Sequence, residues 1–224
     1  MYENQEWGEH AIEVSNASLI NKVYGIMTVG LFLTAAVAYF TAMNIMPDVV
    51  QALYMPAAIF EIILVLALSF LALKMPPALA FICFLVYAVL NGFTLSLIFY
   101  AYSMTAITKT FAVTGGTFGV MCLFGTVTQK DLSKLGMLLL MALVGILIAT
   151  LVNIFLRSSG LDFALSILGI IVFVGLTAYD AQKIKRLAEN GVTGGSIAVL
   201  GALTLYLDFV NLFLYILRIF GRRK

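Results

Sequence analysis

Two carboxylates sit where an apolar chain has least use for them. Asp180 ends the apolar part of "GLTAYDAQKIKR", Gly175 to Arg186, and Asp208 lies in the middle of "GALTLYLDFVNLFLYILR", Gly201 to Arg218. A third acid, Glu61, falls inside "AAIFEIILVLALSFL". A carboxylate near the centre of a bilayer costs about 2.5 to 3.5 kcal/mol on insertion scales, so each of these needs a partner, a proton or a task. Two carboxyls within hydrogen-bond reach in a low dielectric cannot both ionise easily and share a proton. Losing that proton leaves an oxygen-rich anionic site, which suits a hard cation such as Ca2+.

Each acid also has an ordinary explanation. Asp180 precedes Lys183 by one helical turn, so an interfacial ion pair at i,i+3 accounts for it equally well. Asp208 has no cation within a turn. Its ordinary role is that of a protonated carboxyl holding helices together by a hydrogen bond.

The elements that carry these residues must be membrane helices. Of 224 residues, 62% are hydrophobic and 11% charged, with a mean hydropathy of +1.07. No water-soluble globule of this size hides so much apolar surface. Seven apolar windows approach or exceed the roughly 20 residues that a bilayer needs. They run approximately Lys22 to Met43, Leu53 to Leu73, Leu79 to Tyr102, Thr110 to Val127, Gly136 to Leu156, Asp162 to Asp180 and Ile197 to Phe220. Strand-length segments of alternating polarity are absent, so the expected fold is all-α: seven transmembrane helices in one domain, residues 22–224. Residues 1–21 read as a polar, acidic, cytosolic tail that is expected to be unstructured, the other reading being that Trp7 and Ile12 mark a surface helix or a partner's handle.

Loop charges set the orientation. With the amino terminus cytosolic, the inner side receives Lys22, Lys74, Lys130, Lys134, Lys183, Lys185 and Arg186, and the outer loops only Lys109 and Arg157. Seven crossings leave Arg218, Arg222, Arg223 and Lys224 outside, against the rule, the alternative being that the last segment re-enters and returns to the inner side; its roughly 20 apolar residues favour a full crossing. The tail lacks the basic start of a secretory signal, and the expected location is a bacterial inner membrane.

Several chemistries drop out. The single histidine, His10, lies in the tail, which removes a Ser-His hydrolase, a His-ligated metal and a histidine relay from the apolar windows. Cys83 and Cys122 stand alone inside spans and read as packing residues. No phosphate cradle or Walker lysine occurs. An enzyme is not expected, nor a cofactor or a nucleic-acid partner. "TGGTFG", Thr114 to Gly119, places Gly115 and Gly119 at the spacing of close helix packing.

The last span carries the strongest pattern. Gly201, Thr204, Asp208, Asn211, Tyr215 and Arg218 follow one another at intervals of 3, 4, 3, 4 and 3 residues, one face of a single helix. Such a stripe must turn toward other helices or a water-filled path, which predicts a central position for this helix. Arg218 near its outer end then finds a partner in Glu61. Counting residues from the expected boundaries leaves Asp180 about 12 Å shallower than Asp208, a mismatch removed if span six continues past Arg186 and span seven enters near Gly201.

The segments "GLTAYDAQKIK", "YLDFVNLFLYILRIFG" and "NGFTLSLIF", Asn91 to Phe99, resemble the signatures of the transmembrane Bax inhibitor motif family, or Bax inhibitor-1 family. The resemblance covers all seven spans. It implies a seven-helix bundle with the last helix in the middle and an aspartate pair, here Asp180 and Asp208, that senses pH and controls a calcium leak. Glu61 and Arg218 resemble the family's intramembrane acid on helix two and arginine on helix seven. Bacterial members can carry an arginine later in helix two that latches onto the aspartates. Here the nearest cation is Lys74, which cannot pair bidentately as arginine does.

The expected partners are therefore the bilayer, protons and Ca2+ as a weakly held permeant ion, with Asn211 and Thr204 as further oxygen donors. Two other classes compete. Intramembrane aspartyl proteases also carry a Tyr-Asp, as in Tyr179-Asp180, but their Gly-x-Gly-Asp is here "LYLD". A regulator of a membrane-bound protease or of a stress-survival pathway is the alternative that the resemblance also allows.

Overall fold

In a computed structural model, residues 2–192 and 194–221 are described, with side chains from Ser18 onward. The described chain is helical throughout, with no strand. Eight α-helices and one 3-10 turn follow in order: α1 Tyr2–Asn44, α2 Pro47–Leu71, the turn Ala72–Lys74, α3 Pro77–Leu95, α4 Leu97–Ala101, α5 Met104–Val127, α6 Ser133–Leu156, α7 Ser159–Glu189 and α8 Gly195–Phe220. Seven spans are long and apolar enough to cross a membrane, α2 with its turn and α3 with α4 each forming one.

Local chemistry sets the ends. Pro47 and Pro77 open α2 and α3, where a missing N–H costs nothing. The hydroxyl of Ser103 caps α5 by accepting from the Ala106 N–H at 3.2 Å. α6 ends on Arg157 in the left-handed region, φ 51°. α1 is continuous from Tyr2, where composition led us to expect an unstructured tail. Its leader contains no proline, so helix propagates backward from the apolar span at little cost. Trp7 and Ile12, the expected handle, have side chains outside the described set.

The outward surface is apolar, with Phe155 86%, Val127 76% and Phe70 75% exposed. Such a surface is stable against lipid and not against water. α8 is the most buried span, at 61% of its most apolar stretch against 11% for α2. That agrees with a central last helix.

The chain divides into two compact units, Met1–Ala101 with Ile184–Tyr206, and Tyr102–Lys183 with Leu207–Lys224. In the first, Phe84 and Tyr87 of α3 meet the Tyr206 ring edge-on at 5.6 and 5.8 Å, and Ser196 Oγ donates to the Met75 carbonyl at 2.9 Å. In the second, Leu139 and Ile146 of α6, Leu165, Val172, Phe173 and Leu176 of α7, and Leu212 and Ile216 of α8 form one buried cluster. Phe111 and Phe118 of α5 pack edge-on against Phe209 at 5.4 Å each.

The GxxxG expectation fails. A Cβ on Gly115 or Gly119 would meet nothing within 4 Å. α5 instead buries Thr114 and Phe118, because those larger side chains fill the interior while the two glycines sit to the side.

Candidate functional site

Asp180 and Asp208 both belong to the second unit, on the antiparallel helices α7 and α8. α7 does not stop at Asp180. It runs on for nine residues to Glu189, so Asp180 lies about 14 Å inside the helix end. The chain then turns at Gly191, φ 69°. The N–H of Gly191 bonds to Ala188 O at 2.9 Å and that of Val192 to Leu187 O at 3.0 Å, a Schellman stop that glycine's left-handed conformation permits. This continuation of α7 past Arg186 meets one of the two conditions for equal depth; α8 begins at Gly195, about 20 Å before Asp208, so counting from the helix ends still leaves about 6 Å, and it is the carboxyl contact that brings the two together.

The two carboxyls lie within hydrogen-bond reach of each other, and the residues are only 7% and 4% exposed. Ionised carboxylates are acceptors only, so a bond between them requires one proton. Oδ2 of Asp208 is buried and accepts no hydrogen bond from any N–H or hydroxyl among the described residues. A proton shared with Asp180 would satisfy it. Lys183, exposed one turn further along α7, acts on Asp180 through its charge. The aspartate thus has both neighbours that its position suggested, a cation toward the helix end and a second carboxyl toward the interior.

The backbone around Asp180 is held closely. α5 approaches α7 at Gly125, where a Cβ would stand 2.1 Å from the Ala178 carbonyl oxygen, and α6 approaches at Gly136, where it would stand 2.5 Å from the Tyr179 ring. Gln182, 4% exposed, spans the turn between α5 and α6. Its Nε2 donates to Lys130 O at 2.8 Å and its Oε1 accepts from Leu132 N–H at 2.9 Å. Gln182 was not singled out from sequence, although an amide two residues from a membrane acid is an unusual placement.

The rest of the stripe behaves differently from expectation. Thr204, in the first unit, spends its hydroxyl hydrogen on Leu200 O at 3.0 Å, and Asn211 gives Nδ2 to Leu207 O at 2.8 Å. Both donors return to their own helix, as hydroxyls and amides do when no better acceptor faces them. Tyr215 stacks on Phe173 at 5.8 Å and lies under the Arg218 guanidinium at 5.5 Å. Arg218 pairs with Asp162 at 3.2 Å, and not with the expected Glu61. Asp162 begins the neighbouring α7 and meets the end of α8 at the surface, a cheaper placement for a guanidinium than a buried one. Glu61 accepts instead from Asn91 Nδ2 and from Thr94 Oγ1 at 3.0 Å. Lys74 is exposed at the end of its 3-10 turn.

Among the described residues no three or more His, Cys, Asp or Glu gather as a ready metal cluster. An ion at the aspartate pair would therefore draw most of its oxygens from backbone carbonyls and water, which makes for weak holding.

A family model described as "Inhibitor of apoptosis-promoting Bax1" matches residues 16–224. The chain is 46% identical over 214 residues to "Inner membrane protein YbhL" of Escherichia coli (strain K12), covering 91% of each. It is 44% identical to a protein of Borreliella burgdorferi, with the same coverage. A membrane protein of Streptococcus pyogenes serotype M3 is 41% identical over 209 residues, 90% of this chain and 91% of the relative.

Proposed function

This chain belongs to the Bax inhibitor-1 family, and from that membership we propose that it is a pH-sensitive cation leak with Asp180 and Asp208 as its sensor. The observation that carries this reading is the carboxyl contact between two residues each less than a tenth exposed. While one proton is shared, the contact is attractive and ties α8 to α7. Once it leaves, two carboxylates face one another in a low dielectric and repel. Opening by loss of the proton means that leak rises with pH and falls as the medium becomes acidic. The released oxygens offer Ca2+ a transient, weak site on its way through.

The membrane is the bacterial inner membrane, with the amino terminus in the cytosol. Support comes from the name of the Escherichia coli relative and from the distribution of loop lysines and arginines.

The test is Ca2+ flux into proteoliposomes across the neutral pH range, for wild type, Asp180→Asn and Asp208→Asn. Identical pH profiles in all three would remove the aspartates as sensor. Removing Met1 to Ser15 separates this reading from regulation of a membrane protease, since a leak survives that loss and a tail-mediated interaction does not.

A further inference from the structure

A second polar chain runs through the first unit, away from the aspartates. Glu61 Oε1 accepts from Asn91 Nδ2. Asn91 Oδ1 lies 3.0 Å from the Tyr206 hydroxyl, and that hydroxyl lies 2.6 Å from Thr34 Oγ1. Thr34 Oγ1 is in turn 2.9 Å from the Ala88 carbonyl oxygen. Helices α1, α2, α3 and α8 each supply a link. Tyr206 is 0%, Thr34 5% and Asn91 8% exposed, so neighbours rather than bulk water must satisfy them.

The hydrogens can be counted. Three oxygen–oxygen contacts, from Asn91 to Tyr206, Tyr206 to Thr34 and Thr34 to Ala88, share two hydroxyl hydrogens. With the Asn91 amide hydrogens turned to Glu61, one contact goes without. A proton on Glu61 supplies what is missing. Glu61 then donates to Asn91 Oδ1, the amide turns over and donates to Tyr206, Tyr206 donates to Thr34, and Thr34 donates to the Ala88 carbonyl. Every contact now has one hydrogen, and the chain points the other way. With Glu61 ionised, Asn91 donates to the carboxylate and Tyr206 donates to Asn91.

We propose that Glu61 is a proton-binding site whose occupancy sets the direction of the hydrogen-bond chain through Asn91, Tyr206 and Thr34. Of the four side chains in this chain of contacts, Glu61 is the one that is only half-buried. The titratable groups facing it are Tyr87 on α3 and Tyr206 on α8. α1 brings the Thr34 hydroxyl, which does not titrate, and Tyr100 on α4 turns its hydroxyl to the carbonyls of Ala42 and Ile45, at 3.2 and 3.0 Å. Thr94, the second donor to Glu61, also has the Asn91 carbonyl as an acceptor at 3.0 Å and can change between them without loss. The site shares no ionisable group with the aspartate pair and does not rest on the leak.

Infrared difference spectra of the full chain in liposomes, taken against pH, test this. The Tyr206 C–O stretch reports whether its hydroxyl donates to Asn91 or accepts from it. Tyr206→Phe assigns the band by its loss. Thr34→Ala, which keeps the tyrosine, assigns it a second time by shifting it. The band should shift together with the appearance of a protonated carboxyl band on acidification. Glu61→Gln should abolish both changes, and Asp208→Asn should leave both in place. A Tyr206 band that is constant with pH in the wild type, or that keeps its shift in Glu61→Gln, overturns the proposal.

Discussion

Gly125 of α5 rests against the backbone of α7 at Ala178, so closely that a Cβ would stand 2.1 Å from the Ala178 carbonyl oxygen. The obstacle is backbone, which cannot rotate away. Gly125→Ala is therefore expected to push the two helices apart at a cost of about 1 to 3 kcal/mol. Gly119→Ala, on the same helix in open space, should be neutral or gain up to about 1 kcal/mol from helix propensity. Thermal unfolding of both variants in detergent checks the contrast. Equal melting temperatures would mean that α5 and α7 are not held this closely.

The aspartate pair sets a sign as well as a location. In the proposed mechanism the species with the shared proton is the closed one, so wild-type flux should rise with pH. Asp208→Asn keeps a hydrogen-bonding group in place but removes the charge that proton loss creates, so its flux should stay low and flat with pH. Asp180→Asn should behave in the same way. A flux in either variant that still rises with pH as steeply as wild type would place the sensor elsewhere.

Gln182 offers a separate handle on the same region. Its amide satisfies Lys130 O and Leu132 N–H from a buried position. Gln182→Leu leaves those two backbone groups without their partner at an expected cost of about 1 to 3 kcal/mol. Because it also frees the turn that steadies α7 beside Asp180, the pH midpoint of flux should move. Gln182→Glu keeps the acceptor for Leu132 N–H but sets a buried carboxylate oxygen against Lys130 O, so it should cost at least as much. Unfolding curves and flux profiles of the two variants decide whether the amide steadies this turn.

Much of this was legible in the sequence, for physical reasons. A bilayer demands about 20 apolar residues per crossing, so the seven spans follow from hydropathy alone. The pairing of Asp180 with Asp208 came from the family resemblance, since counting residues alone left the two about 12 Å apart in depth. What sequence did not supply was which neighbour each polar group faces. Arg218 and Glu61 looked complementary, yet Asp162 was nearer to one and Asn91 with Thr94 to the other. Likewise Gly115 and Gly119 had the right spacing on the wrong side of α5, while Gly125 stood outside any motif. Helix rotation decides such contacts, and one sequence encodes it only through many weak packing preferences.

The Asp162–Arg218 pair should contribute little. Its side chains are 39% and 34% exposed, and exposed pairs are worth about 0 to 1 kcal/mol. A double-mutant cycle with Asp162→Asn and Arg218→Gln should give a coupling below about 1 kcal/mol that shrinks further with added salt. A larger, salt-insensitive value would indicate that the two groups are shielded from water.

The self-directed amide of Asn211 has a mechanical meaning. By bonding to Leu207 on its own helix, it leaves the second-unit part of α8 to meet its neighbours largely through rings and aliphatic side chains, with the aspartate contact among them. Dispersion contacts between such surfaces involve no proton and no charge, so acid and base leave them alone. Along this buried stretch the rod is deaf to pH, and the carboxyl contact is the place where a single proton can change how it is held.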